Sequence, residues 1–270
     1  MIKVHQFTFN APLRSIYRHA SYHPIMTIET PTSPSTEPND DASKAVQLVV
    51  VSDFVCPWCF VGLTLVARLR RDYPDIEVAW NPYLLDPSVP PEGRPTLPRQ
   101  QPGDQPSAVE IRAADAGLYF KRGRTFRPNS MLALETAWFA QEQGLDDAGL
   151  HRDLYSEHFE QLGNIGEVDT LVRIGAEHAL DPAVLRKALE TRRYQSEVEQ
   201  AIEEVQVIGV SAVPTFIFNG EYAIVGAETY LAFQRMMERL GYPIPPGAET
   251  PPDTYRLTFS EPTTAPTSED

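Results

Sequence analysis

The feature that most constrains the fold is a strand-like run followed closely by two cysteines spaced three positions apart. The run 46–51 reads Val-Gln-Leu-Val-Val-Val, and Cys56-Pro57-Trp58-Cys59 follows it and holds both cysteines of the chain. A nearly continuous β-branched run is typical of a central strand buried on both faces. Proline directly after Cys56 suits the first position of a helix, so we predict that Cys56 is the N-cap of that helix.

This placement favours redox chemistry at the two thiols. Cysteines three apart on a helical turn have α-carbons close to the roughly 5.5–6 Å that a disulfide prefers. The free amide donors and partial positive charge of a helix start stabilise a thiolate on Cys56. Cys59, one turn further, is predicted to be buried and less acidic. Cys56 is therefore the candidate nucleophile, and Cys59 the candidate thiol that resolves a mixed disulfide.

The alternative interpretation of the pair is two buried structural thiols or half of a zinc site. A structural zinc site needs four ligands, and no second C-x-x-C or close histidine pair accompanies these cysteines. His151 and His158 are seven apart and share a helix face. We expect them to be solvated rather than to bind a metal, and we predict no metal site.

The order of the predicted elements indicates an α/β fold with a helical insertion. Strand 46–51, helix 60–73 and strand 76–80 form a βαβ start. Almost only helical signals follow from 107 to 208, with predicted helices at 130–143, 146–160 and 167–178, and one capped by Asp181 that is interrupted near 191–194. Strands 213–218 and 221–225 flank Asn219-Gly220, the strongest short hairpin signal, before a last helix at 227–240. Because neither strand group can bury its own face, we predict one shared sheet.

Proline-rich stretches divide the chain into predicted domains. Of the 25 prolines, five fall in residues 1–42, eight between Pro82 and Pro106, and seven after Tyr242. Proline resists regular structure, so these stretches are expected to be loops or tails. We predict a disordered N-terminal extension at 1–42, a sheet domain at 43–86 and 207–242, an inserted helical domain at 87–206, and a Pro-rich tail at 243–270. Met26, within the extension, is an alternative first residue of the protein. In the tail, residues 255–259 alternate between apolar and polar side chains as a strand does.

Charge and hydropathy exclude two classes of partner. The formal net charge of −14 repels phosphate backbones, so we predict no nucleic-acid binding. No apolar run reaches the roughly 18–20 residues that span a bilayer, so we predict no membrane partner. The first 42 residues lack the apolar core of a secretory signal, which leads us to expect a cytoplasmic protein; a transit peptide is the weaker interpretation.

A second candidate site is the proline that opens a strand at Val213-Pro214. Proline cannot donate to a ladder, so it is either an edge-strand residue or part of a cis Val213-Pro214 bond. Next to a βαβ unit with C-x-x-C we favour the cis bond. It would turn the backbone of Val213 toward Cys56, where an extended substrate could add as an extra strand.

Together these features resemble the DsbA-like branch of the thioredoxin superfamily, in which a helical domain is inserted into the thioredoxin fold. The closest likeness is to the FrnE-like oxidoreductases, near the 2-hydroxychromene-2-carboxylate isomerases. The matching segments are 52–59, Arg127-Pro128-Asn129-Ser130, Leu162-Gly163-Asn164-Ile165-Gly166, 209–218 and Gly226-Ala227-Glu228.

The resemblance implies a thioredoxin fold with a large inserted all-helical domain, with Cys56 as nucleophilic thiol and Cys59 as resolving thiol. It places Val213 and Pro214 in a cis-proline loop, which together with Trp58 forms the predicted substrate-binding site. Trp58 differs from the histidine that periplasmic DsbA proteins carry at this position. The likeness therefore implies a less extreme oxidant than those enzymes.

The sequence is compatible with three functions. The leading hypothesis is a thiol–disulfide oxidoreductase acting on protein or small-molecule thiols and disulfides, with no cofactor except glutathione as a candidate redox partner. The alternative is a glutathione-dependent isomerase or transferase of the 2-hydroxychromene-2-carboxylate isomerase type, whose members typically have serine at the first cysteine. The third is a binding module with an idle motif. A homodimer is left open.

Three further polar residues have two interpretations each. Asp53 either tunes the thiols through water or caps a turn. Asn129 and Ser130 resemble a family motif that faces the active site, but they also suit the N-cap of the helix that follows.

Overall fold

The computed structural model describes residues 45–145 and 148–248, together with the backbone of Val4–Gln6. The alternative start at Met26 and the strand-like segment 255–259 lie outside the described residues. So do most of the predicted extension and the end of the predicted tail. The division into domains stays a prediction.

The described elements alternate between a sheet and helices in the order that the sequence predicts. They are strands β1 (Val4–Gln6) and β2 (Gln47–Ser52), helix α1 (Pro57–Asp72), strands β3 (Glu77–Pro82) and β4 (Arg94–Pro95), helix α2 (Ala108–Asp115), strand β5 (Phe126–Arg127), helices α3 (Met131–Glu142), α4 (Ala148–Phe159), α5 (Val168–Glu177), α6 (Pro182–Glu190) and α7 (Gln195–Val207), strands β6 (Thr215–Phe218) and β7 (Tyr222–Val225), and helix α8 (Tyr230–Arg239).

One five-stranded sheet has the order β1-β7-β6-β2-β3. β2 lies inside the sheet between β6 and β3, parallel to β3 and antiparallel to β6, with Val50 opposite both Trp80 and Phe216. The prediction of one sheet shared by the two strand groups, with the helices between them as an insertion, is confirmed. The chain has an α/β fold in which a mixed sheet carries a largely helical insertion.

Strand β2 is buried on both faces of the sheet. Its alternate side chains point to opposite faces, and helices cover each face. Val49 and Val51 pack with Val205 of α7 on one face. Leu48 and Val50 join the larger core on the other face, where α1 and α8 lie. Burial on both faces explains why the sequence of β2 is an almost unbroken apolar run.

Three local predictions within the chain are confirmed by the structure. Asn219 and Gly220 have φ values of 50° and 67°, the positive values that a type I′ hairpin turn requires. Asp181 caps α6, and its carboxylate accepts hydrogen bonds from the amides of Ala183 and Val184. The predicted interruption separates α6 from α7, with Arg192 at a φ of 52°.

Two features of the fold differ from the sequence-based expectation. The insertion is helical except for a short ribbon, in which Arg94 pairs with Arg127. Within the predicted disordered extension, Val4–Gln6 forms a strand antiparallel to β7. Without β1, β7 would be the edge strand of the sheet, and its free amide and carbonyl groups could pair with any extended segment. A segment of three residues carries no sequence signal of such pairing.

Among the described helices, none has the length and apolar character that crossing a bilayer would require.

Candidate active site

The two cysteines lie at the start of α1, directly after the turn that ends β2. Cys56 is the N-cap residue and Pro57 occupies the first turn of the helix. The Cys56 amide donates to the carbonyl of Asp53 at 3.0 Å, which closes the turn. Both thiols are free and buried, with 4% and 3% of the residue exposed, whereas Trp58 is 38% exposed. The tryptophan therefore forms part of the surface above the thiols.

The acidities of the two thiols are displaced in opposite directions. The pKa of Cys56 is lowered, first by a hydrogen bond from the Cys59 side chain and also by the amides of Cys59 and Trp58. Burial raises the pKa of Cys59 well above its usual value, and the neighbouring Cys56 sulfur raises it further. Cys56 is thus the thiol that ionises first, as its place at the helix start predicts.

The loop before β6 completes the site opposite the cysteines. The peptide bond between Val213 and Pro214 is cis. The Cys56 Sγ donates to the carbonyl oxygen of Val213 at 3.6 Å. Pro214 is buried against α1 at Gly62, where an added Cβ would lie 3.2 Å from the Pro214 Cγ. The structure thus brings Cys56, Cys59, Val213 and Pro214 together, and Trp58 is adjacent in sequence on the exposed side.

Asp53 is fully buried beside the cysteines. Its carboxylate accepts hydrogen bonds from the amide of Leu85 at 2.7 Å and the amide of Val55 at 3.2 Å. Burial raises its pKa to about 6, although these hydrogen bonds oppose the rise. The Asp53 charge in turn raises the pKa of both thiols. The hydrogen bond from Val55 agrees with the interpretation that Asp53 caps a turn, whereas tuning of the thiols through water stays a prediction.

Asn129 and Ser130 connect the start of α3 to this region. The Asn129 side chain accepts from the amide of Met131 at 2.8 Å and donates to the carbonyl of Val89 at 2.7 Å. It therefore holds the helix start and the loop after β3, as the capping interpretation expects. Ser130 is buried and lowers the pKa of Asp53, which agrees with the interpretation that it faces the site.

The expectation that His151 and His158 are solvated is wrong. Both are buried, at 2% and 4% exposure. The His151 ring stacks on Trp80 with centroids 4.2 Å apart, and the His158 ring meets Phe159 edge-on. Their shared helix face is the buried face of α4, and its aromatic neighbours include a residue of β3, which helix periodicity alone does not reveal. Among the described residues, no three His, Cys, Asp or Glu side chains form a group that could hold a metal ion.

A cluster of stacked aromatic rings lies beneath the cysteines and was missed by the sequence reasoning. Tyr155 of α4 is fully buried and stacks on Phe60, with centroids 5.1 Å apart. Burial raises its pKa far above the usual value, and the charge of Cys59 adds to the rise. Tyr155 lies four positions after His151 and so on the same face of α4. Recognising that this face is buried would have been the one way to predict its position from the sequence.

A thioredoxin-fold sheet with a helical insertion and a cysteine pair at the first helix defines a class of redox protein. The chain belongs to the DsbA-like thioredoxin domain family, whose model matches residues 47–238. The family assignment supports thiol–disulfide oxidoreductase chemistry at the level of the family as a whole.

Particular relatives agree with this assignment. The chain is 32% identical over 192 residues to the uncharacterized protein YwbO of Bacillus subtilis, covering 70% of this chain and 94% of that protein. A probable DsbA oxidoreductase from Streptomyces coelicolor is similar in structure, with a TM-score of 0.61, 24% identity, and coverage of 74% of this chain and 92% of the other. The cytosolic disulfide reductase DsbM from Pseudomonas aeruginosa, solved with GSH, has a TM-score of 0.50, 17% identity, and coverage of 72% and 99%. At these identities the two solved structures show the shared fold.

Proposed function

We propose that the protein is a thiol–disulfide oxidoreductase that works through a mixed disulfide at Cys56. The observation that carries the proposal is the opposite displacement of two adjacent buried thiols, with the pKa of Cys56 lowered and that of Cys59 raised. A lowered pKa makes Cys56 both the thiolate available for attack and the better leaving group. Glutathione-dependent isomerase chemistry is the less favoured alternative, because it gives Cys59 no role.

In the reducing direction the Cys56 thiolate attacks one sulfur of a substrate disulfide. This forms the Cys56–substrate disulfide and releases the other substrate sulfur as a thiolate, which takes up a proton. Cys59 then loses its proton and attacks the Cys56 sulfur, which closes the Cys56–Cys59 disulfide and releases the second substrate thiolate. Two protein thiols are oxidised and one substrate disulfide is reduced; oxidation of a dithiol follows the reverse path.

The loop before β6 is the proposed docking place for the substrate backbone. Val213 is half-buried and its carbonyl oxygen lies 3.6 Å from the Cys56 sulfur. A substrate segment in extended conformation could pair with this backbone while presenting its sulfur to Cys56. The exposed ring of Trp58 offers an apolar surface beside it. We propose protein or small-molecule thiols and disulfides as substrates and the cytoplasm as the compartment, where a cytosolic reductase of the same fold is found.

Replacing each cysteine separately tests the proposal. Cys56→Ser should abolish exchange with 2-hydroxyethyl disulfide, because no nucleophile remains. Cys59→Ser should instead accumulate a stable adduct at Cys56, detected as a mass increase that dithiothreitol removes, because the resolving step is lost. An adduct on the Cys56→Ser protein, with none on Cys59→Ser, would reverse the roles. Unchanged exchange in both variants would sink the proposed function.

A further inference from the structure

Two of three neighbouring arginines share a single carboxylate, and the third binds main-chain carbonyls. Arg127 Nη2 lies 2.8 Å and Arg94 Nη2 lies 3.6 Å from Asp86 Oδ2. Arg94 and Arg127 are opposite one another in the β4–β5 ribbon. Arg124 donates to the main-chain carbonyls of Phe126 and His158, and in the described part of the chain no carboxylate lies within ion-pair distance of it. We call Arg94, Arg124 and Arg127 the cationic cluster.

Local groups already occupy the acceptors of Asp86. Its Oδ1 accepts from the Ser88 hydroxyl at 2.5 Å and from the Ser88 amide at 3.1 Å. The hydrogen bond from Arg124 to the His158 carbonyl lies at the C-terminal end of α4. The partial negative charge of this helix end offsets roughly half of the positive charge of Arg124. One carboxylate and one helix end leave the three guanidinium groups with surplus positive charge. Other partly buried arginines are matched by acids, as in Arg122–Glu110, Arg152–Glu160 and Arg192–Glu135.

His158 supplies a second, independent observation at the cluster. It is 4% exposed, and its buried Nδ1 has no hydrogen-bond partner. Burial holds its pKa well below the usual range, and the charges of Arg124 and Arg127 lower it further, so both guanidinium groups act on this ring. A buried polar atom without a partner is costly, which indicates a group left for a ligand to satisfy.

Two hydrogen bonds and one peptide link connect Cys56 to Asp86, the carboxylate at the cluster. The Cys56 amide binds the Asp53 carbonyl at 3.0 Å, and the Asp53 carboxylate binds the Leu85 amide at 2.7 Å. Asp86 is the next residue, about 3.8 Å further along the chain. Arg94 and Arg127 keep 43% and 32% of their side chains exposed, so a ligand can reach them. A small molecule with its sulfur at Cys56 could therefore extend to the cluster.

We propose that the cationic cluster binds a carboxylate of low-molecular-weight thiols and disulfides, so that the preferred substrates are anionic. The inference rests on the proposed function and names its substrate class. Guanidinium groups bind carboxylates through paired hydrogen bonds. The net charge of −14 repels extended acidic partners, whereas a local positive cluster still attracts a small anion held beside it.

Disulfides that differ in charge test this inference. The reduced protein is oxidised by glutathione disulfide (anionic), 2-hydroxyethyl disulfide (neutral) or cystamine (cationic), and the loss of protein thiols gives each second-order rate constant. The decisive readout is the ratio of the anionic to the neutral rate. It should fall at least about fivefold in an Arg94→Gln, Arg127→Gln double variant and in Arg124→Gln. Arg99→Gln, at an exposed arginine in the loop after β4, removes one positive charge without touching the cluster and is the matched control for Arg124→Gln.

The rate with the neutral disulfide, measured on the same sample, shows whether each variant is folded and competent. Wild-type protein gives a second measurement that needs no variant, because added salt should slow glutathione disulfide and leave 2-hydroxyethyl disulfide nearly unaffected. An unchanged ratio in the cluster variants, or an equal fall in Arg99→Gln, would overturn the inference while leaving the proposed function intact. Wild-type protein inert toward all three disulfides would instead contradict the proposed function.

Discussion

The Cys56 sulfur lies 3.6 Å from the carbonyl oxygen of Val213, although the two residues are 157 positions apart in the chain. The helical insertion leaves the sheet after β3 and returns before β6, which pairs with β2. Pairing of β2 with β6 therefore sets the two halves of the active site against each other. A substrate sulfur bonded to Cys56 would therefore lie next to the main chain of Val213.

Cys59→Ala should raise the pKa of the Cys56 thiol, because the hydrogen bond from Cys59 is the largest cause of its lowering. Cys59→Ser keeps a donor at this position and should raise it less. The measurement is the rate of Cys56 alkylation by iodoacetamide as a function of pH, whose midpoint gives the pKa. A midpoint that is the same in both variants would show that the helix start, rather than Cys59, holds the thiolate.

Asp53→Asn should change how stability depends on pH. Burial raises the pKa of Asp53 in the folded protein to about 6, from an ordinary 3.8. Ionised Asp53 therefore costs stability above pH 6, by about 3 kcal/mol, and this cost disappears as the pH falls below about 4. The unfolding free energy of the wild type minus that of Asp53→Asn should thus rise as the pH is lowered from 7 to 4.

Urea unfolding of the reduced proteins at several pH values measures this difference. Asp75→Asn makes the same chemical change at an exposed aspartate of the sheet domain and provides the baseline. The comparison between variants matters because other carboxylates also titrate in this range. A difference that stays constant, or that falls as the pH is lowered, would show that Asp53 ionises normally in the folded state.

The parts of the site that the sequence predicts correctly are governed by local rules. Proline after Cys56 and the β-branched run before it identify a strand, a turn and a helix start within 14 residues. Asn219-Gly220 and Asp181 likewise act through their own backbone neighbours. The sharing of one sheet by distant strands follows from the need of each strand to bury its faces.

The parts that the sequence does not predict depend on contacts between distant elements. The burial of His151 and His158 requires knowing that α4 packs against β3 and α1. The cationic cluster depends on the pairing of Arg94 with Arg127 and on the bond from Arg124 to the end of α4. Spacing along the chain cannot show these contacts, because they join residues between 33 positions (Arg94 and Arg127) and 71 positions (Trp80 and His151) apart.

Gly62→Ala should destabilise the protein and slow exchange at Cys56. An added Cβ would lie 3.0 Å from the Phe216 ring and 3.2 Å from Pro214, so these buried groups must shift. Alanine in a helix gains about 1 kcal/mol over glycine, but overpacking costs about 1–3 kcal/mol, so we expect a net loss of about 1 kcal/mol. Urea unfolding and the rate with 2-hydroxyethyl disulfide measure the two effects.

A matched control for Gly62→Ala is Ala67→Gly, at an exposed position of the same helix. It should cost about 1 kcal/mol through helix propensity alone. Its exchange rate should stay at the wild-type value, because the site is not displaced. Equal rates in the two variants would show that the contact between Gly62 and Pro214 has no part in positioning Cys56.

Trp58→His should make the Cys56–Cys59 disulfide more oxidising. Trp58 is 38% exposed in the first turn of α1 and carries no charge, and its backbone amide already helps to lower the pKa of Cys56. A protonated imidazole at this position would stabilise the Cys56 thiolate and so the reduced form of the pair. One unit of pKa is about 1.4 kcal/mol, which for two electrons raises the potential by about 30 mV.

Equilibration with glutathione redox buffers measures this potential for the wild type, Trp58→His and Trp58→Phe. The phenylalanine variant keeps an aromatic ring without a charge, so its potential should remain near that of the wild type. Because free histidine titrates near pH 6.5, the shift caused by Trp58→His should be larger at pH 6 than at pH 8. Equal potentials for the histidine and phenylalanine variants at pH 6 would show that the charge at position 58 does not set the redox balance of the cysteines.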